Sequence, residues 1–450
     1  MGERFVYKQY LIGFWNYGLV VLLAVVAFYF FLIPAAIVIR DLNDPALRQN
    51  KTPAFAYRWH RNVSRQMEPW ARERVETGRA STLNLNNISG TEWPVFSAVY
   101  YLWATESLQA AWEADPSLST TMPTDYAEGA IRAAAALVAD PNHAAWVQQH
   151  WGDDYLHQEN IFYRMLLIGG LTSYQELLGE TTYEALLIDQ VQSLSRELDA
   201  SPYGLLDDYP NQCYPIDILP AIAVIQRASV MLDMAHEPFV ARSVRGFSDT
   251  RLDPATMLPT YIADSETGVG YGSARGIGAS YMLIWAPELW PEVSEAWYTQ
   301  FEQHFWQEGR FVSGIREFPV YANSAEWLAD VDAGPVIAGY GTAASAFGIG
   351  ATRANGRFDH AFPLSAEALV STWPLPNGTL LGPRMLSNLS DAPLIGETAL
   401  LFSFTRQAQT QQITTAVSGG LPLVVYAGLL FYSLIGLVIM WLAYLWFRAS

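Results

Sequence analysis

Carboxylate and aromatic side chains recur together at the start of several apolar segments of this 450-residue chain. Between Gly204 and Ser229 the sequence reads GLLDDYPNQCYPIDILPAIAVIQRAS, so an acidic, proline-rich loop leads directly into an apolar helix. Two carboxyl groups with different pKa values can act as general acid and general base, as the cleavage of a glycosidic bond or the elimination of water requires. The stretch therefore predicts acid–base chemistry.

Acids of this kind precede or open several of the apolar helices. The candidate catalytic residues are Asp217, Glu159 and Asp332, then Glu317 and Glu92, with Tyr209, or alternatively Tyr271, as proton carrier or oxyanion stabiliser. Each acid has an alternative role as a helix cap, because Asp and Glu satisfy free N–H groups at helix N-termini. Capping does not require the neighbouring aromatic residues. Rings and carboxylates around a cavity suit an uncharged, hydroxylated ligand.

A second set of residues is expected to bind substrate at the same helix starts. It comprises Trp93, His157, Tyr163, Asp208, Cys213, Tyr214, Tyr271, Arg275 and Asp330. Arg275 is a lone cation at the start of an apolar helix, so it either binds an anionic group or pairs with a neighbouring acid. Cys213 is either an inert thiol or a nucleophile that would need His157 as its base.

Neither a cofactor nor a metal is expected. The Gly-rich stretch GVGYGSARGIG does not have the dinucleotide or Walker spacing, and no predicted strand precedes it. The seven histidines show no paired metal-ligand spacing, although His157 beside Glu159 leaves a carboxylate-rich divalent site open.

The charge of the chain restricts its partners. The formal net charge is −18, and the acidic excess lies between residues 40 and 418, which argues against nucleic acid and favours a neutral or cationic substrate, a small molecule or an oligosaccharide. One cysteine excludes an internal disulfide and a cysteine-based zinc site.

Two uncharged apolar runs predict membrane-spanning helices. They lie at residues 10–39 and 419–447, with tips at 1–9 and 448–450, and both carry Trp and Tyr near their ends. A cleaved signal peptide is the alternative for the first run, which is however long for one and lacks a small-residue cleavage site. Two spans place residues 40–418 on one side of the membrane, and we expect that side to be outside the cytoplasm.

The region between the spans contains a sixfold repeat. Strongly apolar helices are predicted to open near Glu92, Glu159, Ile216, Arg275, Asp332 and Pro393, about 60 residues apart. Amphipathic helices alternate with them, at residues 57–74, 126–139, 183–198, 237–247, 292–306 and 360–373. The pattern predicts an all-α, (α/α)6 toroid with strands limited to short hairpins such as EGRFVSGIREFPVY. An open α-solenoid is the alternative.

Two resemblances accompany this pattern. The alternating plan over residues 40–418 resembles the (α/α)6-toroid glycoside hydrolases and polysaccharide lyases in architecture. The segments HQENIFYRMLL and YPNQCYPIDILP are similar to segments of the linalool dehydratase/isomerase-like family, toroidal enzymes that add, remove or shift water on a terpene alcohol. That family uses an acid, a histidine, tyrosines and paired cysteines, which implies roles for His157 or Glu159, Tyr209, Cys213 and Asp217. This chain has one cysteine where the family uses two.

Three functions follow as expectations. Glycan cleavage by a membrane-anchored enzyme comes first and a dehydratase-like or isomerase reaction on an alcohol second. A non-catalytic protein that binds a saccharide or a lipid head group is the third.

Overall fold

The computed structural model describes residues 16–248, 251–322, 327–330, 333–415 and 420–449. Helices make up 67% of the chain and strands 6%, so the protein is mostly helical, as the sequence predicted.

Six apolar helices correspond to the six repeats. These inner helices are α3 (Ile88–Ala114), α6 (Ile161–Leu178), α8 (Pro215–Met231), α11 (Gly276–Leu289), α13 (Thr342–Ala354) and α16 (Ile395–Thr405). They are enclosed because their residues are apolar or small on all sides; every residue of α11 except Glu288 is buried.

Amphipathic helices precede or follow each inner helix in the chain. They are α2 (Ala54–Glu76), α4 (Pro123–Ala139), α7 (Glu184–Ala200), the short pair α9 (Glu237–Ser243) and α10 (Arg245–Ser248), α12 (Pro291–His304) and α14 (Phe358–Ser371). In α7 the buried residues Leu187, Val191, Leu194 and Leu198 follow the helical period and form one apolar stripe. Two further short helices are α5 (Ala145–Trp151) and α15 (Leu381–Ser387).

The inner helices contact one another in a cycle. Each packs against the next in chain order, from α3 through α6, α8, α11 and α13 to α16, and α16 in turn packs against α3. The N-terminal halves of all six surround a common cavity.

An aromatic layer closes the opposite side of this cavity. Trp103 packs against Trp285 and Phe402, with ring centroids 4.8 and 5.3 Å away. Below it, ion pairs join the C-terminal halves of the helices, where Arg227 pairs with Glu106 and Arg406 lies 3.6 Å from Glu288. These contacts fill the space between the C-terminal halves of the inner helices, and the cavity lies between their N-terminal halves.

The fifth inner helix starts later than predicted. The helix predicted to open at Asp332 begins at Thr342, and the preceding residues form β6 (Gly334–Ile337), which pairs with β5 (Leu328–Asp330) and β7 (Tyr340–Gly341). Gly334, Ala338 and Gly339 have φ values of 64°, 52° and 86°, and positive φ is incompatible with a right-handed helix. The prediction for this segment was wrong because apolar composition alone does not separate a helix from a short sheet.

Two more antiparallel pairs complete the strands. They join β1 (Ile262–Ala263) to β2 (Gly270–Tyr271), and β3 (Trp306–Gln307) to β4 (Gly314–Ile315). The second pair overlaps the hairpin predicted from EGRFVSGIREFPVY, but its first strand ends just before that stretch.

Two terminal helices are long and apolar enough to cross a membrane. They are α1 (Asn16–Leu42), which contains a π-helical turn, and α17 (Leu423–Ala449). Trp373, just after α14, contacts both: its Nε1 donates a 2.5 Å hydrogen bond to the Phe30 carbonyl, and its ring lies 5.8 Å from that of Phe431. The two helices are therefore packed against the rest of the protein.

Candidate functional site

A cavity of about 1480 Å3 lies at the N-terminal ends of the inner helices. Aromatic and aliphatic side chains form most of its wall. No Lys or Arg of the described chain lines it, and its ionisable groups are Glu92, Asp208, Asp217, Glu367, His150 and several tyrosines. Such a cavity suits an uncharged ligand.

The loop before α8 brings Asp208 and Asp217 to one end of this cavity. The loop is closed by a tight turn in which the Asp208 N–H donates to the Gln212 carbonyl at 2.8 Å. Asn211 has a φ of 63°, a left-handed conformation that Asn tolerates. Pro215 then opens α8 and leaves Asp217 in its first turn.

Asp208 is a deeply buried acid at this end. Its side chain is 2% exposed, and Oδ2 accepts a 2.9 Å hydrogen bond from the Tyr214 N–H. Its Oδ1 has no hydrogen bond of standard geometry among the described residues, although the backbone of Phe162 lies near the carboxyl group. Burial, and then the negative charge of Asp217, hold the pKa of Asp208 well above its ordinary value. Burial therefore favours the neutral form of Asp208, close to a second carboxyl group.

Tyr209 connects this loop to the first inner helix. Its hydroxyl donates a hydrogen bond to Oε1 of Glu92 in α3. Burial and the charge of Glu92 raise the pKa of Tyr209, so the hydroxyl remains protonated. The ring packs against those of Trp146 and His150, with centroids 6.0 and 5.3 Å away.

Two further tyrosines, which the sequence reasoning missed, lie at the acidic end. Tyr100 of α3 and Tyr281 of α11 line the cavity, are 5% and 3% exposed, and have ring centroids 6.5 Å apart. Burial raises the pKa of both hydroxyls, and the charge of Asp217 raises them further. A signal for them existed: each is a polar-tipped residue inside an otherwise apolar inner helix.

The other predicted residues divide into those that line the cavity and those that do not. Trp93 and Tyr214 line it, together with Glu92, Asp208, Tyr209 and Asp217. Glu159, Tyr163 and Cys213 are not part of the lining. Tyr163 and Cys213 are buried, and burial raises the pKa of the Cys213 thiol, which keeps it protonated.

Glu159 has a clear structural role. Its Oε2 accepts a 2.6 Å hydrogen bond from the Asp207 N–H and so holds the acidic loop in place. Burial raises the pKa of this carboxyl group.

His157 and Tyr271 lie on the exterior. His157 is 2.9 Å from Asp154 and 3.1 Å from Asp189, and its hydrogen bond to Asp154 raises its pKa. Tyr271 is exposed.

Arg275, Glu317 and Asp330 form an ion-pair cluster behind the cavity wall. Arg275 is 2.6 Å from the fully buried Glu317 and 3.1 Å from Asp330, and it stacks on Tyr261, which lines the cavity. Burial raises the pKa of Glu317 to about 7, against the opposing effect of Arg275. This arrangement is the structural pairing that was the alternative to anion binding.

Asp332 lies outside the described residues. Within the described ranges, no group of three or more His, Cys, Asp or Glu side chains is arranged to hold a metal ion.

Glu367 is a cavity-lining acid that the sequence pattern did not single out, because it belongs to the amphipathic helix α14. Its Oε1 accepts a 2.6 Å hydrogen bond from the Ser313 N–H, and burial raises its pKa to about 7. It lies among the lining residues of α14, which include Leu364 and Ala368.

Comparison with protein-family profiles and with curated protein sequences finds no match to this chain.

Proposed function

We propose that this protein is a membrane-anchored enzyme that uses carboxyl acid–base chemistry on an uncharged, largely apolar alcohol, eliminating water or moving the hydroxyl group. The observation that carries the proposal is the pair Asp208 and Asp217 at one end of an apolar cavity without a lining cation among the described residues. Two carboxyl groups in different environments supply an acid and a base.

The proposed roles follow from the raised pKa of Asp208. Asp208 donates its proton to the leaving hydroxyl group as the C–O bond breaks, and water departs. Asp217 accepts a proton from the neighbouring carbon, and the electron pair of that C–H bond forms the double bond. Transfer of the proton from Asp217 to Asp208 then restores the starting state. The hydroxyl groups of Tyr209, Tyr100 and Tyr281 surround the reacting group and replace water as hydrogen-bond partners.

We also propose that the region between the two terminal helices folds as a closed (α/α)6 toroid. The cycle of contacts from α3 to α16 and back to α3 supports a closed ring, because an open solenoid would leave its first and last repeats apart.

Cleavage of a neutral glycan, the first expectation from the sequence, becomes the second candidate. The size of the cavity favours it, since about 1480 Å3 exceeds the ~300–1,000 Å3 usual for small-ligand sites. The apolar wall favours the alcohol, because a sugar needs more polar partners than this wall offers.

We also propose that the domain lies outside the cytoplasm. The charges flanking the spans are nearly balanced and set no orientation, and a long domain crosses the membrane regardless of its charge, so neither feature opposes this placement. A membrane-impermeant amine reagent applied to intact cells should label Lys51, and labelling only after lysis would contradict the proposal.

The test of function is turnover by the full chain in lipid nanodiscs. Terpene and longer-chain alcohols and neutral oligosaccharides should be supplied separately, with Asp217→Asn and the exposed control Asp153→Asn. Dehydration or isomerisation of an alcohol, lost only in Asp217→Asn, is the expected result. Turnover of an oligosaccharide alone would favour glycan cleavage. Binding without turnover in the unsubstituted chain and in both variants would refute catalysis.

A further inference from the structure

The end of the cavity away from Asp208 and Asp217 reaches the second terminal helix. Val424, in the first turn of α17, lines the cavity together with Ser371 and Thr372 at the end of α14. The same wall thus continues from the acidic end to a helix that is apolar enough to cross a membrane.

Hydrogen bonds fix the start of α17 to the rim of the cavity. The Leu423 N–H donates to the Arg310 carbonyl at 3.0 Å, and the Val424 N–H donates to the Phe311 carbonyl at 2.9 Å. Glu367 holds the same loop through Ser313. The rim therefore lies at the level where α17 begins.

Exposed apolar side chains form a lip at this rim. Phe311 and Leu386 both line the cavity and are 61% and 66% exposed. Met385, which precedes Leu386, and Leu389, which follows it in the same segment, are also exposed, Leu389 to 88%. Leaving such side chains in water is unfavourable, and large exposed apolar patches mark interaction sites.

The apolar surface of the adjacent helix α17 indicates which environment covers the lip. Leu423 and Tyr426, in the first turns of α17, are themselves 41% and 52% exposed, so the outward face of this helix is apolar from its start. A bilayer that surrounds α17 from its first turn also meets the adjacent lip. A protein partner would have to cover the lip while leaving α17 in lipid.

We propose that the cavity opens to the bilayer and takes its substrate from it. The substrate class is a membrane-dissolved amphipath with an uncharged hydroxyl group and a long apolar chain, which passes the lip at Phe311, Leu386 and Val424. The identity of the reacting group rests on the proposed function; access from the membrane does not.

The position of the lip can be measured in the full chain reconstituted in phosphatidylcholine vesicles. Leu386→Cys is labelled with an environment-sensitive fluorophore and exposed to lipids that carry a nitroxide quencher in the acyl chain. Val230→Cys is the matched control, because Val230 is 61% exposed and ends α8 at the opposite side of the ring. The native Cys213 is 1% exposed, so it contributes little labelling.

We expect quenching at position 386 and none above background at position 230. Equal quenching at both positions, or none at 386, would overturn the proposal. Because Leu386 is exposed, its substitution is not expected to prevent folding.

Uptake is tested with a photoactivatable long-chain alcohol dissolved in the same vesicles. Cross-links are expected on cavity residues of α14 and α3, and Leu386→Glu should reduce them about tenfold by disfavouring contact of the lip with lipid. Cross-links confined to the outward face of α17 would refute bilayer access.

The two proposals fail in different ways. If Asp217→Asn is cross-linked like the unsubstituted chain but no alcohol is turned over by either, the acid–base function fails and membrane access stands. If a water-soluble alcohol is turned over while no cavity cross-link forms, the function stands and membrane access fails.

Discussion

The Tyr209 hydroxyl donates a hydrogen bond to Oε1 of Glu92, a residue 117 positions earlier in the sequence. The bond joins the loop before α8 to the first inner helix and closes the acidic end of the cavity. It gives the Glu92 carboxylate a fixed donor and holds the Tyr209 ring against Trp146.

Replacement of Tyr209 by Phe tests this connection. Tyr209→Phe keeps the ring packing but removes a bond to a charged group, which contributes about 1.5–3 kcal/mol. We expect a loss of unfolding free energy of this size and a marked fall in turnover. Chemical denaturation in detergent and a turnover assay measure the two effects. Tyr271→Phe, on the exterior, is the control, and an equal effect there would contradict the assignment.

Asp208→Asn separates proton donation from structure. Asn can still accept the hydrogen bond from the Tyr214 N–H, so the loop should keep its conformation. Loss of a general acid costs about 100- to 10,000-fold in rate. A turnover number within the range of the unsubstituted chain would remove Asp208 from the mechanism.

The same variant should change the dependence of stability on pH. The folded-state pKa of Asp208 is raised, so its contribution to stability is complete below its ordinary pKa and is lost as pH rises through the raised value. Asp208→Asn should therefore gain stability relative to the unsubstituted chain as pH increases. Thermal unfolding at a series of pH values measures this difference, and a parallel pH profile would contradict it.

The raised pKa of Glu367 predicts a change in stability over a defined range of pH. Its pKa is about 7 in the folded protein against 4.5 for a free Glu side chain, so the proton it binds stabilises the fold below about 4.5 and this stability is lost as pH rises through about 7. Glu367→Gln retains an acceptor for the Ser313 N–H and carries no charge. We expect it to be more stable than the unsubstituted chain at pH 8, by on the order of 2 kcal/mol.

The difference should disappear near pH 4.5. Thermal unfolding of Glu367→Gln and of the exposed control Glu295→Gln provides the comparison. A gain at pH 8 in both variants would show that net charge, and not the environment of Glu367, is responsible.

Arg275→Met tests whether the cluster behind the wall is structural. Removing Arg275 leaves Glu317 buried beside Asp330 without its cation, and breaking a buried ion pair in this way costs about 3–5 kcal/mol. Turnover per folded molecule should be unchanged, because none of the three lines the cavity. Arg242→Met removes an exposed pair with Asp199 and should have a much smaller effect on stability. Lost activity in a stable Arg275→Met protein would instead indicate substrate binding.

Local sequence patterns predicted most of the helices of this protein. The sixfold alternation of apolar and amphipathic helices and both membrane-length segments were predicted, because helix burial is encoded in the period of the apolar residues. The start of α13 was missed because the residues from 334 to 341 are apolar in composition but contain three positive-φ positions. Four residues singled out from the sequence, Asp217, Asp208, Tyr209 and Glu92, line the cavity.

The roles of the residues at the acidic end of the cavity depend on distances between residues that are far apart in the chain. Composition and periodicity establish that acids and aromatic rings stand at the helix starts, since these features are local. They do not distinguish Asp208, buried beside Asp217, from Glu159, which holds a backbone N–H outside the cavity. That distinction arises when the inner helices pack, because burial and neighbouring charge set the pKa of a carboxyl group, and both depend on the contacts made in the folded protein.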